Sequence, residues 1–238
     1  MIAEGGGMRT LLVAALALSA FASPAAAESR NFGITSFTKV RVDGPFTVTL
    51  KTGVAPFASA SGSPQALDRV AIEVRGDTLV VHNNLDSWGG YPGKDTGPVQ
   101  ISLGTHDLSA AWLNGSGLID IDRVKALSFD LSVQGSGRGV IDRTDVDQLN
   151  VSVVGTASAA LSGQAAKLTA VVRGISSLDA AHLSTRDATL GAEGAATIDG
   201  AVSNSATVDA SGPATVRLSG NPSCTLKVSG STSVSGCK

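Results

Sequence analysis

Glycine recurs through the C-terminal half of this chain at nearly constant intervals. Gly115, Gly135, Gly155, Gly174, Gly194, Gly212 and Gly230 lie 18 to 20 residues apart. Two residues before each comes Leu113, Val133, Val153, Val172, Ala192, Ala210 or Val228; four before comes Ala111, Leu131, Val151, Ala170, Leu190, Val208 or Leu226. The residues between are mostly polar or small, so the pattern is the period-two alternation of a strand with one buried face. A second apolar column follows each glycine, through Ile119, Ile141, Leu161, Leu178, Ile198, Val216 and Val234. A period near 19 is too short for a strand–helix–strand unit, which needs about 30 residues. It fits an all-β, single-stranded parallel β-helix, a β-solenoid of about seven C-terminal rungs. Stacked residues then lie ~4.8 Å apart, and the crossover preference implies a right-handed coil. The chain holds 28 glycines, well above the usual ~7%, and the corners of such a coil account for the surplus. Tight corners need φ > 0, which only glycine visits without steric cost, and Gly115/Gly117 and Gly135/Gly137 are read as such corner glycines.

A single rung cannot fold alone. Ordering ~19 residues costs about 20–40 kcal/mol of backbone entropy, whereas each inward aliphatic returns only about 1.5–3 kcal/mol. Stacking must supply the difference, so the units come in series. The last rung ends in an open parallel edge, a hazard for aggregation. Cys224 and Cys237, the chain's two cysteines, flank it. In an exported protein they read as one disulfide that pins it.

Export is expected from the N-terminus. Met8-Arg9, the apolar Leu11 to Ala22 and the small Ala25-Ala26-Ala27 form a secretory signal over residues 1–27, with Met8 as an alternative start. The apolar run is short of the ~20 residues of a spanning helix, so no transmembrane span is expected. The remainder, 28–238, reads as one domain: a non-repetitive β-rich part over 32–107, then repeated rungs over 108–238. In the first part Val40/Val42 and Phe46/Val48/Leu50 flank the turn Asp43-Gly44-Pro45, and Val99/Ile101/Leu103 lead into the first rung. With 18 Lys and Arg against 20 Asp and Glu, the chain has no basic surplus for nucleic acid.

The opening Phe37-Thr38-Lys39-Val40-Arg41-Val42-Asp43-Gly44-Pro45-Phe46-Thr47-Val48-Thr49-Leu50, the stretch Gly76-Asp77-Thr78-Leu79-Val80-Val81, and the corners Leu113-Asn114-Gly115-Ser116-Gly117 and Val133-Gln134-Gly135-Ser136-Gly137 resemble the head GIN domain family. The resemblance covers nearly all of 28–238. Later corners depart from it: Gly155-Thr156-Ala157, Gly174-Ile175-Ser176 and Gly212-Pro213-Ala214 lose the second glycine. It implies an exported β-helix of bacterial envelopes, periplasmic or at the cell surface, with adhesin and lipid-binding labels among relatives and no established activity.

Little in the chain points to chemistry. His82, His106 and His182 have no metal-type spacing and read as surface or loop residues. Neither a nucleophile elbow nor a phosphate loop is present, and no cofactor is implied. Asp122-Arg123 and Asp142-Arg143 fall at equivalent places after successive glycines and should stack. As a carboxylate pair they could serve acid–base work; as a mixed ladder they are a solvated face. The segment Asn83 to Pro98 holds Asp86, Trp88, Tyr91 and Asp95, a set able to stack on sugars or a partner protein, or to fold back over the coil. The reading is a non-catalytic envelope protein for adhesion or assembly, with a cell-surface protein or polysaccharide as partner. The alternatives are a polysaccharide-binding or polysaccharide-cleaving β-helix, or a lipid-binding module.

Overall fold

The structure, a computed structural model, describes residues 28–84 and 97–238. The expected signal segment, and Asp86, Trp88, Tyr91 and Asp95, lie outside the described residues. The chain is a β-solenoid whose seven anchor glycines enclose about six complete turns. Strands pair in parallel with their successors at the offsets that the repeat predicts. Leu131 stands opposite Val151 and Val153 opposite Val172. The seven anchors all have φ between 80° and 124°, where an L side chain is strained.

Each turn contains two regular strand stretches. They meet at the glycine corner on one side and at an irregular passage with register shifts on the other. Both inward columns are buried from Leu113 through Ala210. A third column, at the start of the stretch before the corner, reads Phe129, Leu149, Leu168, Ala188, Ala206 and Cys224. Its shrinking side chains narrow the interior toward the C-terminus.

Four details correct the sequence reading. First, Gly117 and Gly137 do not have positive φ. A Cβ on Gly137 would sit 2.8 Å from the Gly117 carbonyl oxygen, and one on Gly117 would strike the Phe46 carbonyl. Crowding, not dihedral freedom, selects glycine there. Where the corner is roomier the same place takes the buried Ala157, Ser176, Ala196 and Ala214. Second, the stack begins before residue 108. Strands Lys39–Asp43 and Thr47–Thr52 form a coil that pairs in parallel with Ala110–Gly115 and Leu118–Ile121. Gly44 stacks beneath Gly115 as an earlier anchor. Third, Gln100–Thr105, which carries Ile101 and Leu103, pairs with Thr47–Thr52 on its far side and does not run straight into the first repeated rung. The coil of residues 39–52 is thus sandwiched between segments that follow it in sequence. Fourth, Leu226 and Val228 are about half exposed, because none of the described residues stacks beyond the last coil.

At the other end, antiparallel strands cover the first coils. Phe57–Gly62 lies on Gln100–Thr105, Glu28–Phe32 on Phe57–Gly62, and Val70–Arg75 on Thr78–Asn83. Cys224 and Cys237 are bonded, with Cα atoms 5.6 Å apart. No helix among the described residues is long and apolar enough to cross a membrane.

Candidate functional site

The irregular side of the coil is concave. Backbone register slips between Ile141 and Thr144, between Ala160 and Ser162, and twice between Ala180 and Asp187. Gly163, at φ +113°, packs against the Thr144 backbone so closely that no side chain fits. Thr144 itself is buried, and its Oγ1 lacks a partner; its stacking neighbours Val124 and Gly163 offer no side-chain acceptor. The slips pull the chain inward and leave a groove of about 540 Å³ across five successive turns. At ~4.8 Å per turn its length is about 19 Å.

Val146, Ala165, Thr185 and Val202 stack along its floor and are buried. Asp145, Gln164, Ser184 and Ala201 stack along one rim; Asp147, Ala166, Arg186 and Ser203 follow the floor residues on the other. Hydrogen bonds between turns fix the polar groups. Gln164 Nε2 donates to Asp145 Oδ1 at 2.8 Å, and Ser203 Oγ to the Thr185 carbonyl at 3.2 Å. Arg186 Nε donates to Asp187 Oδ2 at 3.2 Å. Ser205 Oγ and Asn204 Nδ2 donate to Asp187 Oδ1 at 2.6 and 2.7 Å. These bonds, Ser205's the largest, hold the Asp187 carboxyl below the usual range. The result is a long trough with a mostly apolar floor, broken by Thr185, and rims that mix charged and polar side chains with Ala166 and Ala201. No group of three or more His, Cys, Asp or Glu among the described residues could hold a metal.

Asp122 and Asp142 follow strands in register and are exposed, but they do not form the expected mixed ladder. Neither Arg123 nor Arg143 is ion-paired among the described residues, and Asp122 Oδ1 accepts from the Thr52 backbone N–H at 3.0 Å. The pair gains a third member, Asp120. Partial burial, then the charges of Asp142 and Asp122, raise its carboxyl above the usual value. His82 bridges Glu73 and the Asn83 carbonyl at 2.9 Å each, a surface role, while His182 is exposed. The groove residues escaped sequence reading because the slips break the constant spacing there. The steps from Asp145 to Gln164 to Ser184, and from Val146 to Ala165 to Thr185, still follow those of the glycines; the departure comes at the next step, to Ala201 and Val202.

The chain matches, over residues 36–222, the model of a family described as "Putative auto-transporter adhesin, head GIN domain". The protein belongs to this family. No curated protein matches it. Among solved structures it is similar to a "putative adhesin" from Bacteroides fragilis, at 15% identity and a TM-score of 0.80, over 88% of this chain and 96% of that one. It is similar to a "putative lipid binding protein" from Parabacteroides distasonis at 16% identity and a TM-score of 0.70, over 89% and 97%. A "putative adhesin" from Parabacteroides merdae aligns at 15% and 0.60, over 89% and 96%. At such identities the likeness concerns the fold.

Proposed function

We propose that this head GIN protein is a non-catalytic adhesion module of the bacterial envelope, exported and presented in the periplasm or at the cell surface, whose groove holds an extended carbohydrate chain. The groove carries this reading. It runs along the stacking direction for five turns, so it suits a linear, repeating ligand. Its mostly apolar floor fits the C–H faces of sugars, and its rims of Gln164, Ser184, Arg186 and Ser203 fit their hydroxyls. A lipid chain suits it less, since the groove is open and edged by Asp145, Asp147 and Arg186. The carboxylates that could serve acid–base work, Asp120, Asp122 and Asp142, do not line the groove.

The test is a polysaccharide array probed with residues 28–238 and with Ala166→Phe, which fills the trough without altering charge. Binding by the parent and loss in Ala166→Phe, at unchanged circular dichroism, is the expected result. Equal binding by both overturns the groove reading. Polysaccharide turnover abolished by Asp122→Asn overturns the non-catalytic one.

A further inference from the structure

A second cavity, of about 440 Å³, lies on another side of the coil near its N-terminal end. Arg41, Thr78, Trp112, Asn114 and Gln134 line it. The parallel register sets these residues on a small lattice. Arg41, Trp112 and Ser132 stack in one outward column; Asp43, Asn114 and Gln134 stack in the next. Trp112 is half-buried at the centre, an aromatic surface among short polar neighbours.

The polar groups around it are held in place. Arg41 Nε donates to both oxygens of Asp43, at 3.0 and 2.9 Å. Asn114 Nδ2 donates to Asp43 Oδ1 at 2.6 Å, and Gln134 Nε2 to Ser132 Oγ at 3.3 Å. These bonds engage Arg41 through Nε and leave its outer N–H donors without a hydrogen bond to the described residues. The same holds for the side-chain amide oxygens, Asn114 Oδ1 and Gln134 Oε1. Planar donors and acceptors therefore surround an indole, each oriented by a neighbour. Charge is balanced within the patch: Asp43 answers Arg41, and Asp77 answers Lys39 at 3.0 Å. A quaternary ammonium ligand would meet the Arg41 guanidinium beside the ring, with no free carboxylate to offset it. A carboxylate ligand would compete with Asp43 for Arg41.

A neutral pyranose matches what remains. Its C–H face packs on an indole, and its vicinal hydroxyls pair with planar amide and guanidinium groups. We infer that Trp112, with Arg41, Asn114 and Gln134, forms a stacking site for a neutral sugar. This site is separate from the groove and does not rest on it.

The experiment isolates Trp112 optically. The chain has two tryptophans, so Trp88→Phe leaves Trp112 as the sole indole emitter. In that background the protein is titrated with the methyl glycosides of glucose, galactose, mannose and N-acetylglucosamine, with choline chloride and sodium glucuronate alongside. The expected result is a saturable change in emission with at least one neutral glycoside, at a Kd on the order of 1 mM. Asn114→Ala and Gln134→Ala each weaken it at least threefold without moving Tm. Trp112→Ala abolishes glycoside binding measured by calorimetry in the otherwise unchanged protein. No saturable response to any neutral glycoside, or a response to choline or glucuronate alone, overturns the assignment.

Discussion

Gly155 carries two separate demands on one residue. Its φ is +105°, and a Cβ there would lie 2.5 Å from the Gly135 carbonyl oxygen of the coil beneath. Gly76 has φ +64° and open space around the same point. Alanine at Gly76 meets only left-handed strain, about 1–2 kcal/mol. Alanine at Gly155 meets that strain and must also push two coils apart. Urea unfolding should therefore show Gly155→Ala costing at least about twice as much as Gly76→Ala. Equal costs would mean that the corners need glycine for its dihedral alone. Asp120 gives a prediction of the opposite sign. Burial and the neighbouring Asp142 and Asp122 raise its folded pKa. A raised carboxyl contributes stability below its unfolded value, near 3.8, and that contribution is lost as pH rises through the folded value. At neutral pH the folded protein thus holds an unfavourable charge. Asp120→Asn should raise Tm at pH 7, and the gain should vanish below about pH 4.

The terminal coil shows what holds a solenoid element that has neighbours on one side only. Strand Ser223–Ser229 pairs with Thr197–Ser211, and Ser233–Ser235 with Thr215–Ser219, while Leu226 and Val228 bury only half their surface. The Cys224–Cys237 bond closes a 13-residue separation, a constraint of about 3 kcal/mol on the loop model. Removing it with Cys224→Ala/Cys237→Ala should loosen this coil without unfolding the rest. Hydrogen exchange should quicken in Ser223–Ser235 and stay unchanged between Leu131 and Val172; uniform acceleration would show that the coils melt as one unit. At this scale the sequence was readable wherever strands stay regular. Strict alternation around Leu131, Val151 and Leu190 declares an inward face in each coil. The groove was hidden because its slips, as between Ala180 and Ser184, drop residues from the count and erase the periodicity that marks a position. The exposure of Leu226 and Val228 follows from the open edge that the sequence already shows at the last rung, although alternation alone counts both with the inward columns.

Across the whole molecule, sequence order and spatial order disagree at one end, and that fixes what can be removed. The coil of Lys39–Thr52 is flanked by Thr78–Asn83 and Gln100–Thr105 on one side and by Ala110–Gly115 and Leu118–Ile121 on the other. Its hydrogen bonds reach across about seventy residues, as from Thr52 Oγ1 to the Arg123 carbonyl. Val40, Val42, Val48 and Leu50 are fully buried against both neighbours. The turn pattern around Asp43-Gly44-Pro45 showed strands, but no local signal could show that later chain would enclose them. The repeated half therefore lacks an end of its own: without residues 28–107 the coil of 110–121 presents an unpaired parallel edge and an uncovered apolar cross-section. The opposite cut is mild. Ending the chain at Ser211 removes the disulfide, the last coil and the strand Thr215–Ser219, and exposes Ile198 and Val208 beside the small Ala206 and Ala210 in the narrow end of the interior. The expectation is that residues 28–211 remain monomeric on gel filtration, with a cooperative β-type melt at lowered Tm, whereas residues 108–238 aggregate or show no cooperative transition. A stable, monomeric 108–238 would show that the C-terminal coils hold together by neighbour stacking alone, and that the interleaved N-terminal coils are an addition to the rod rather than the surface on which it is built.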